Sequence, residues 1–300
     1  MRMFTYFTVA TAFFLAIVSE VYGQQSGDKN FVPLAKRPIF ERNAGPLVLI
    51  DEFHNNFHTK NGRYQPFTKV LESDGYLVAS NNRSFSESIL TSAKVLVISN
   101  ALGDTSGRGW ALPVMSAFED EEINAVEAFV EQGGGLFLIA DHMPFPGAAS
   151  KLASRFGIQF SNAYAFEVDD GFKRINGPTV FLRSEKRIGD HPITNGRDAT
   201  EKIQKVVSFT GSAFPITNNA TSIIRFSDNA RLFFPDEAWQ FDANTPIANI
   251  PKWSQGLALD FGKGRVEAIC NDSMLAESQQ LSDTAQVKES TYSIKSTFVS

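Results

Sequence analysis

Between residues 47 and 140, short and continuously apolar runs alternate with segments of helical periodicity. In the clearest helical segment, Ile123, Val126 and Val130 recur at the spacing of one helix face. Strands that alternate with helices predict a parallel sheet with right-handed crossovers, and continuously apolar strands predict helices on both faces. The predicted strands span 47–51, 76–79, 94–99 and 136–140, and the predicted helices span 64–73, 86–91, 119–132 and 148–155.

The second half of the chain has a different pattern, with short strand-like runs between loops rich in turn residues. Gly262 and Gly264 flank one lysine between two of these runs, which predicts a hairpin. We expect these strands to extend or flank the first sheet. The predicted fold class is therefore α/β, a three-layer sandwich with a mostly parallel sheet and extra antiparallel strands in the C-terminal half. The runs span 179–182, 206–209, 222–226 and 256–259.

The N-terminal residues have the layout of a secretory signal: a positive charge, an apolar run to about Val18, and small residues before Gly23. The apolar run is short for a membrane span. We therefore predict a signal peptide over 1–23 and an exported protein, periplasmic or extracellular, with no membrane span after cleavage. An uncleaved anchor is the alternative. Beyond it we predict an exposed leader over 24–44, one α/β domain over 45–280, and a poorly ordered tail over 281–300.

The net charge and the cysteine count of the chain argue against a nucleic-acid partner and against an internal disulfide. The formal net charge is −5 and no run of lysine and arginine is present, so we expect no nucleic-acid partner. Cys270 is the only cysteine, which excludes an internal disulfide. It follows a strand-like run, and we interpret it as a buried structural thiol.

Three of the four histidines directly follow two predicted strands, where an open α/β sheet places its ligand site. A carboxylate beside an imidazole can act as general acid and base, and the same groups can bind Zn²⁺. Loop residues of these types can equally hydrogen-bond backbone and hold the strand ends in shape, and this third alternative stays open. The fourth histidine, His191, precedes a proline and is interpreted as part of a turn. The candidate catalytic residues are Asp141, His142 and His54; the candidate ligand-binding residues are Asp51, Glu52, Asn55, Asn56, His58 and Asn100; the candidate metal ligands are His54, His58 and His142.

Several motifs resemble those of an uncharacterised bacterial family with a class I glutamine amidotransferase-like domain. The motifs are VLIDEFHNNFH at 48–58, EQGGGLFLIADH at 131–142 and DHPITNG at 190–196, and the resemblance covers about residues 45–280. It implies a flavodoxin-like sandwich. Amidotransferases of this class place a cysteine nucleophile after a central strand, whereas the matching stretch 139–143 holds Asp141 and His142 and no cysteine. The resemblance therefore does not imply thiol-dependent glutamine hydrolysis.

Three functions are compatible with these features. The first is a binding protein for a small molecule, such as a saccharide or peptide fragment, at the carboxyl ends of the strands. The second is a hydrolase, metal-assisted or acid–base, that uses the cluster of His54, His58, Asp141 and His142. The third is a non-catalytic interaction module of an envelope assembly. No cofactor is predicted beyond the alternative of a divalent metal.

Overall fold

The computed structural model is built around one mixed sheet, and it describes residues 30–33, 37–103, 110–217 and 219–271. The predicted signal peptide and C-terminal tail lie outside these residues. The helices are α1 (Gln65–Ser73), α2 (Glu87–Leu90), α3 (Asp120–Glu131), α4 (Phe145–Arg155) and α5 (Pro192–Asn195). The strands are β1 (Leu47–Asp51), β2 (Leu77–Asn81), β3 (Val95–Ser99), β4 (Gly135–Ile139), β5 (Tyr164–Glu167), β6 (Thr179–Leu182), β7 (Lys205–Ser208), β8 (Thr221–Arg225), β9 (Ala230–Phe233), β10 (Ile247–Asn249), β11 (Ser254–Phe261) and β12 (Gly264–Ile269).

Seven strands form the central sheet in the order β2-β1-β3-β4-β12-β11-β8. The four strands predicted from the first half are parallel neighbours, and β12 adds to them in parallel beside β4. Strand β11 pairs antiparallel with β12 through the predicted hairpin, and β8 pairs antiparallel with β11. The predicted fold class is confirmed, including the antiparallel strands in the C-terminal half.

Apolar side chains on the two faces of the sheet belong to two separate cores. In β3, Val95 and Val97 face one core together with Phe67 of α1, whereas Leu96 and Ile98 face the other. The second core is covered by α2, α3 and α4. Because helices bury both faces, the central strands are apolar at every position rather than at alternate ones.

Two smaller sheets flank the central one, of three strands in the order β10-β9-β5 and of the two strands β6-β7. The sequence predicts β6 and β7 within one residue but gives no strand for β5, β9 or β10. These three strands matter for the site, since β5 carries Tyr164 and the connection from β9 to β10 carries Trp239.

The described part of the predicted leader is exposed at most positions but contacts the domain at several. The rings of Phe40 and Tyr76 are 5.2 Å apart in an edge-to-face arrangement, and Arg37 forms ion pairs with Asp198 and Glu201. Phe31 is buried. Within the described residues, no helix has the length and apolar character needed to cross a membrane.

Candidate functional site

Three polar residues follow three adjacent parallel strands at their carboxyl ends. Asn100 follows β3, Asp141 lies two residues after β4, and Asn271 lies two residues after β12. Each is at most 3% exposed. The sheet order places them side by side, at the edge where open α/β sheets bind ligands. We call this group, together with His142, the strand-end cluster.

Asn100 joins the loop that follows β1 to the turn that follows β4. Its backbone is in the left-handed region, with φ +47°, which asparagine tolerates better than most residues. The side-chain oxygen accepts a hydrogen bond from the Asp141 backbone N–H at 2.9 Å, and the amide nitrogen lies 3.4 Å from His58 Nδ1. The two sequence segments proposed to share a site therefore do lie at the same edge of the sheet.

The Asp141 carboxylate is held by residues from the second half of the chain. The Thr210 hydroxyl lies 3.2 Å from Asp141 Oδ2 and donates to it. The Asn271 side-chain amide donates to Ser208 Oγ at 2.8 Å and to the Thr210 carbonyl oxygen, which fixes the segment that carries Thr210. Contacts of this type hold a buried carboxylate in one orientation.

His142 lies between the Asp141 carboxylate and a group of aromatic rings. Its Nδ1 is 2.6 Å from the Met143 carbonyl oxygen, so this nitrogen carries a proton and donates it. Nε2 then faces Asp141 Oδ2 at 3.5 Å. The imidazole stacks on the Tyr164 ring, with centroids 4.6 Å apart and planes at 15°. The Trp239 ring contacts the imidazole in an edge-to-face arrangement, also with centroids 4.6 Å apart.

The Tyr164 hydroxyl fixes the surroundings of this imidazole. It donates to the Met143 carbonyl oxygen at 3.3 Å and accepts from the Trp239 backbone N–H at 3.1 Å. Burial is the main reason that the pKa of Tyr164 is raised, so the hydroxyl stays protonated.

His54 is held in a separate arrangement, between two carboxylates. Nδ1 is 2.9 Å from Asp51 Oδ2, and Nε2 is 2.9 Å from Glu122 Oε1 at the start of α3. Burial by itself lowers the pKa of His54, but hydrogen bonds and charges from Asp51 and Glu122 outweigh it, so the pKa is raised. The ring also contacts Phe85 and Phe118, both with centroids 4.7 Å away. A protonated His54 therefore links the loop after β1 to α3.

Glu122 also accepts hydrogen bonds from groups outside the loop after β1. The Ser84 hydroxyl and the Phe85 backbone N–H donate to Oε1 at 2.7 and 2.9 Å, and the Glu119 backbone N–H donates to Oε2 at 3.0 Å. Burial alone raises its pKa, but these hydrogen bonds and the charge of His54 lower it overall. Glu122 therefore remains a carboxylate that can pair with a protonated imidazole.

His58 belongs to the strand-end region through its contact with Asn100, and it also packs on Tyr64. The two ring centroids are 4.5 Å apart. Ser99 Oγ, at the end of β3, donates to the Tyr64 hydroxyl oxygen at 2.8 Å. His58 is completely buried.

The remaining candidate ligand-binding residues hold the loop after β1 together. Glu52 Oε1 accepts from the Lys60 backbone N–H at 2.7 Å and from the Ser80 hydroxyl at 2.8 Å. Asn56 accepts from the His54 backbone N–H and donates to the Ser99 carbonyl oxygen. Asn55 has φ +50° and donates to the Gly103 carbonyl oxygen. These five hydrogen bonds agree with the alternative in which such residues hold the loop in shape.

The contacts around these histidines give no support to the alternative of a metal centre at His54, His58 and His142. Both ring nitrogens of His54 are engaged by carboxylates, and Nδ1 of His142 is engaged by a carbonyl oxygen. In the ranges that the structure describes, no group of three histidine, cysteine, aspartate or glutamate side chains is arranged to hold a metal ion. His54 and His142 have different sets of neighbours, so the expected single histidine cluster divides into two arrangements.

Sequence reasoning missed several residues that shape the site. Asn271 and Thr210 each follow a run that the sequence identifies as strand-like, so the rule that selected Asp141 would have selected them also. Glu122 lies at the N-terminal end of the clearest predicted helix, where a carboxylate is expected for the helix dipole alone. No pattern in the sequence indicates that Tyr164 and Trp239 lie against His142.

The turn after β4 lacks the geometry of a nucleophile elbow, in which a strained turn exposes the attacking side chain. Among the described non-glycine residues with positive φ, the one that directly follows a central strand is Asn100, and neither Asp141 nor His142 has a positive φ. Cys270 is completely buried, and burial is the main reason that the pKa of its thiol is raised. The thiol is therefore a poor nucleophile.

Comparison with known proteins supports the fold but gives neither a family nor a function. No protein-family model matches the chain, and no curated protein matches its sequence. The mmIFT52 N-terminal domain aligns with a TM-score of 0.55 at 13% identity, over 81% of this chain and 92% of that domain. A structure described as a ThuA-like protein from Bacteroides uniformis aligns with a TM-score of 0.47 at 12% identity, over 86% and 94% of the two chains.

A structure described as a GMP synthase protein from Thermoplasma acidophilum also aligns, with a TM-score of 0.42 at 11% identity, over 84% of this chain and 93% of that one. The alignment with the mmIFT52 N-terminal domain, the one of these three with a TM-score above 0.5, supports the observed α/β fold. Sequence identities of 11–13% indicate at most a shared fold.

Proposed function

We propose that the protein binds a small ligand rich in hydroxyl or amide groups, a saccharide or peptide fragment, at the strand-end cluster, without thiol amidotransferase chemistry. The observation that carries the proposal is the pairing of Asp141 Oδ2 with His142 Nε2 at 3.5 Å. With Nδ1 donating to Met143, a neutral His142 presents Nε2 as an acceptor beside Asp141 Oδ2, and a hydroxyl or N–H of a ligand can donate to either atom.

The aromatic rings around His142 support the same class of ligand. Trp239 is 37% exposed, while Asp141 and His142 are 3% and 5% exposed, so Trp239 lies on the outer side of the site. Aromatic rings give apolar contact area, and tryptophan also carries a polar N–H, which together suit ligands with both apolar and polar faces. Because the carboxylate is so deeply buried, we expect ligand binding to displace the Trp239 side chain.

Ligand titrations followed by tryptophan fluorescence and calorimetry test this proposal. The ligands are oligosaccharides and short peptides, including cell-wall fragments, and the variants are Asp141→Asn and the matched control Asp228→Asn, an exposed aspartate. We expect a ligand that changes the fluorescence and binds at least about tenfold more weakly to Asp141→Asn, because hydrogen bonds to charged groups contribute about 1.5–3 kcal/mol. Equal affinity for the wild type and Asp141→Asn, or no binding by any member of the panel, would contradict the proposal.

Acid–base hydrolysis of the bound ligand is a second candidate, favoured by the adjacent carboxylate and imidazole. In this case His142 Nε2 would take a proton from water, and Asp141 would stabilise the resulting imidazolium. Mass spectrometry of the ligand after incubation distinguishes the two functions. Cleavage that is lost in His142→Asn, with binding retained, identifies a hydrolase, whereas an intact ligand identifies a binding protein.

We also propose that the protein is exported, on the basis of its N-terminal sequence. Expression of the full chain in a bacterial host, followed by N-terminal sequencing of the mature protein, tests this. The expected mature N-terminus is near Gln24. A retained Met1 in a membrane fraction would instead indicate the uncleaved anchor.

A further inference from the structure

A surface cavity of about 340 Å³ lies at the end of the sheet opposite the strand-end cluster. Its lining includes Asp260 of β11 and Arg265 of β12, which are cross-strand partners, and Arg265 also pairs with Gly135, the first residue of β4. His191 and Ala258 also line the cavity. The volume is at the lower end of the range for small-molecule sites, about 300–1,000 Å³.

The cavity wall carries groups of both charges together with a neutral donor. His191 Nδ1 accepts a hydrogen bond from the Ile193 backbone N–H at 3.3 Å, so the ring proton of the neutral imidazole is on Nε2. Burial, as the largest effect, and the charge of Arg265 lower the pKa of His191, while Asp260 raises it and is outweighed. His191 is therefore a neutral N–H donor near the guanidinium.

Glu267 is a buried acid next to this cavity. It is on the same face of β12 as Arg265, two residues further along, and its cross-strand partner Ala258 lines the cavity. The residue is 2% exposed, and neither carboxyl oxygen has a hydrogen-bond partner within the described residues. An unsatisfied buried polar group is unusual in proteins and is a reason to look for a missing partner.

We propose that this cavity binds a small zwitterion, a free α-amino acid, with its carboxylate at Arg265 and His191 and its ammonium group at Asp260 and Glu267. Arg265 and His191 offer a cation and a neutral N–H, which suit a carboxylate. Asp260, opposite Arg265, and Glu267, two residues further along β12, offer carboxyl oxygens, which suit the three N–H donors of an ammonium group. The two sets of groups together select a molecule that carries both charges over one that carries a single charge.

NMR titrations of the full chain test the proposal. The probes are the standard free L-amino acids, with acetate and ethylammonium at the same concentrations as single-charge controls. We expect at least one amino acid to shift the backbone amide signals of His191, Asp260 and Arg265, and to bind at least about tenfold more tightly than either control ion. Failure of every amino acid to shift these signals, or equal affinity for acetate, would overturn the proposal.

Variants separate this site from the strand-end cluster. Arg265→Gln should weaken binding of the amino acid about tenfold or more, and Glu267→Gln should weaken it while leaving the binding of acetate unchanged. The matched control Arg42→Gln, an exposed arginine elsewhere, should bind as the wild type does. Asp141→Asn should also leave this binding unchanged, and a loss of binding in that variant would place the ligand at the other end of the sheet and overturn the proposal.

Discussion

At the scale of single residues, burial lowers the pKa of both His54 and His191, but the net shifts of the two pKa values have opposite signs. Both lose solvation, but His54 gains two carboxylate partners and its pKa is raised, whereas the pKa of His191 is lowered. We predict that an NMR pH titration of the imidazole signals gives His54 a pKa above 6.5 and His191 a pKa below it. Glu122→Gln should lower the pKa of His54 and leave that of His191 unchanged. The reverse order of the two histidines would refute the assignment of His54 as an ion-paired group.

The sign of the His54 contribution to stability follows from the same shift. The folded pKa lies above the unfolded value of 6.5, so the ion pair contributes fully below pH 6.5 and its contribution is lost as the pH rises through the folded pKa. Removing a partner from a buried ion pair costs about 3–5 kcal/mol. His54→Ala should therefore lower the free energy of unfolding by roughly 3 kcal/mol near pH 6.

Glu267 makes stability depend on pH across a wider window. Burial raises its pKa from 4.5 to about 8, so the folded state retains a proton that the unfolded state releases. Stability therefore falls from about pH 4.5 until the pH passes about 8, by at most about 5 kcal/mol. We predict that Glu267→Gln removes this dependence and raises the free energy of unfolding at pH 8, as measured by urea denaturation across the pH range.

The matched control for Glu267 is Glu185→Gln, which changes an exposed glutamate in a turn. Glu185→Gln should give the same pH dependence of the free energy of unfolding as the wild type. A profile for Glu267→Gln that parallels the wild type would show that another group causes the dependence.

At the scale of elements, the β11–β12 hairpin packs closely on the C-terminal end of α3. A methyl group at Gly264 would be 2.2 Å from the carbonyl oxygens of Val130 and Gly134. Both are backbone atoms, so relief requires movement of the helix end. We predict that Gly264→Ala lowers the free energy of unfolding by about 2–3 kcal/mol, measured by chemical denaturation. Gly171→Ala is the control, since its methyl group would meet an exposed carboxylate at 3.3 Å and should change stability little.

The elements that the sequence predicts well are those whose burial leaves a local pattern. Strand β1 is predicted at its observed bounds, and α3 within one residue, because continuous apolar runs and helical spacing are local properties. Strand β5 is not predicted, although its Tyr164 is completely buried. Its partner β9 is more than sixty residues away in the chain, and such pairing leaves little local signal.

At the scale of the whole molecule, the site is assembled from both halves of the chain. The strand-end rule places Asp141 and the loop of His54 and His58 at one edge, since the sheet is parallel there. The rule gives no side-chain partners, so it does not predict that Glu122 engages His54 while Thr210 engages Asp141. Partner choice depends on long-range packing, and this is why one predicted histidine cluster becomes two arrangements in the structure.

The parallel pairing of β12 with β4 also makes the two halves interdependent for folding. A chain that ends at residue 217 lacks β8 to β12, which leaves the apolar strand β4 as an unpaired edge and removes β9 from β5. Exposed, apolar strand edges pair with other chains. We predict that this shortened chain aggregates on expression and lacks a cooperative thermal transition by circular dichroism. A chain that ends at residue 280 retains every described strand and should unfold cooperatively, as the full chain does. A soluble, cooperatively folding chain ending at residue 217 would mean that the first four strands form a domain by themselves.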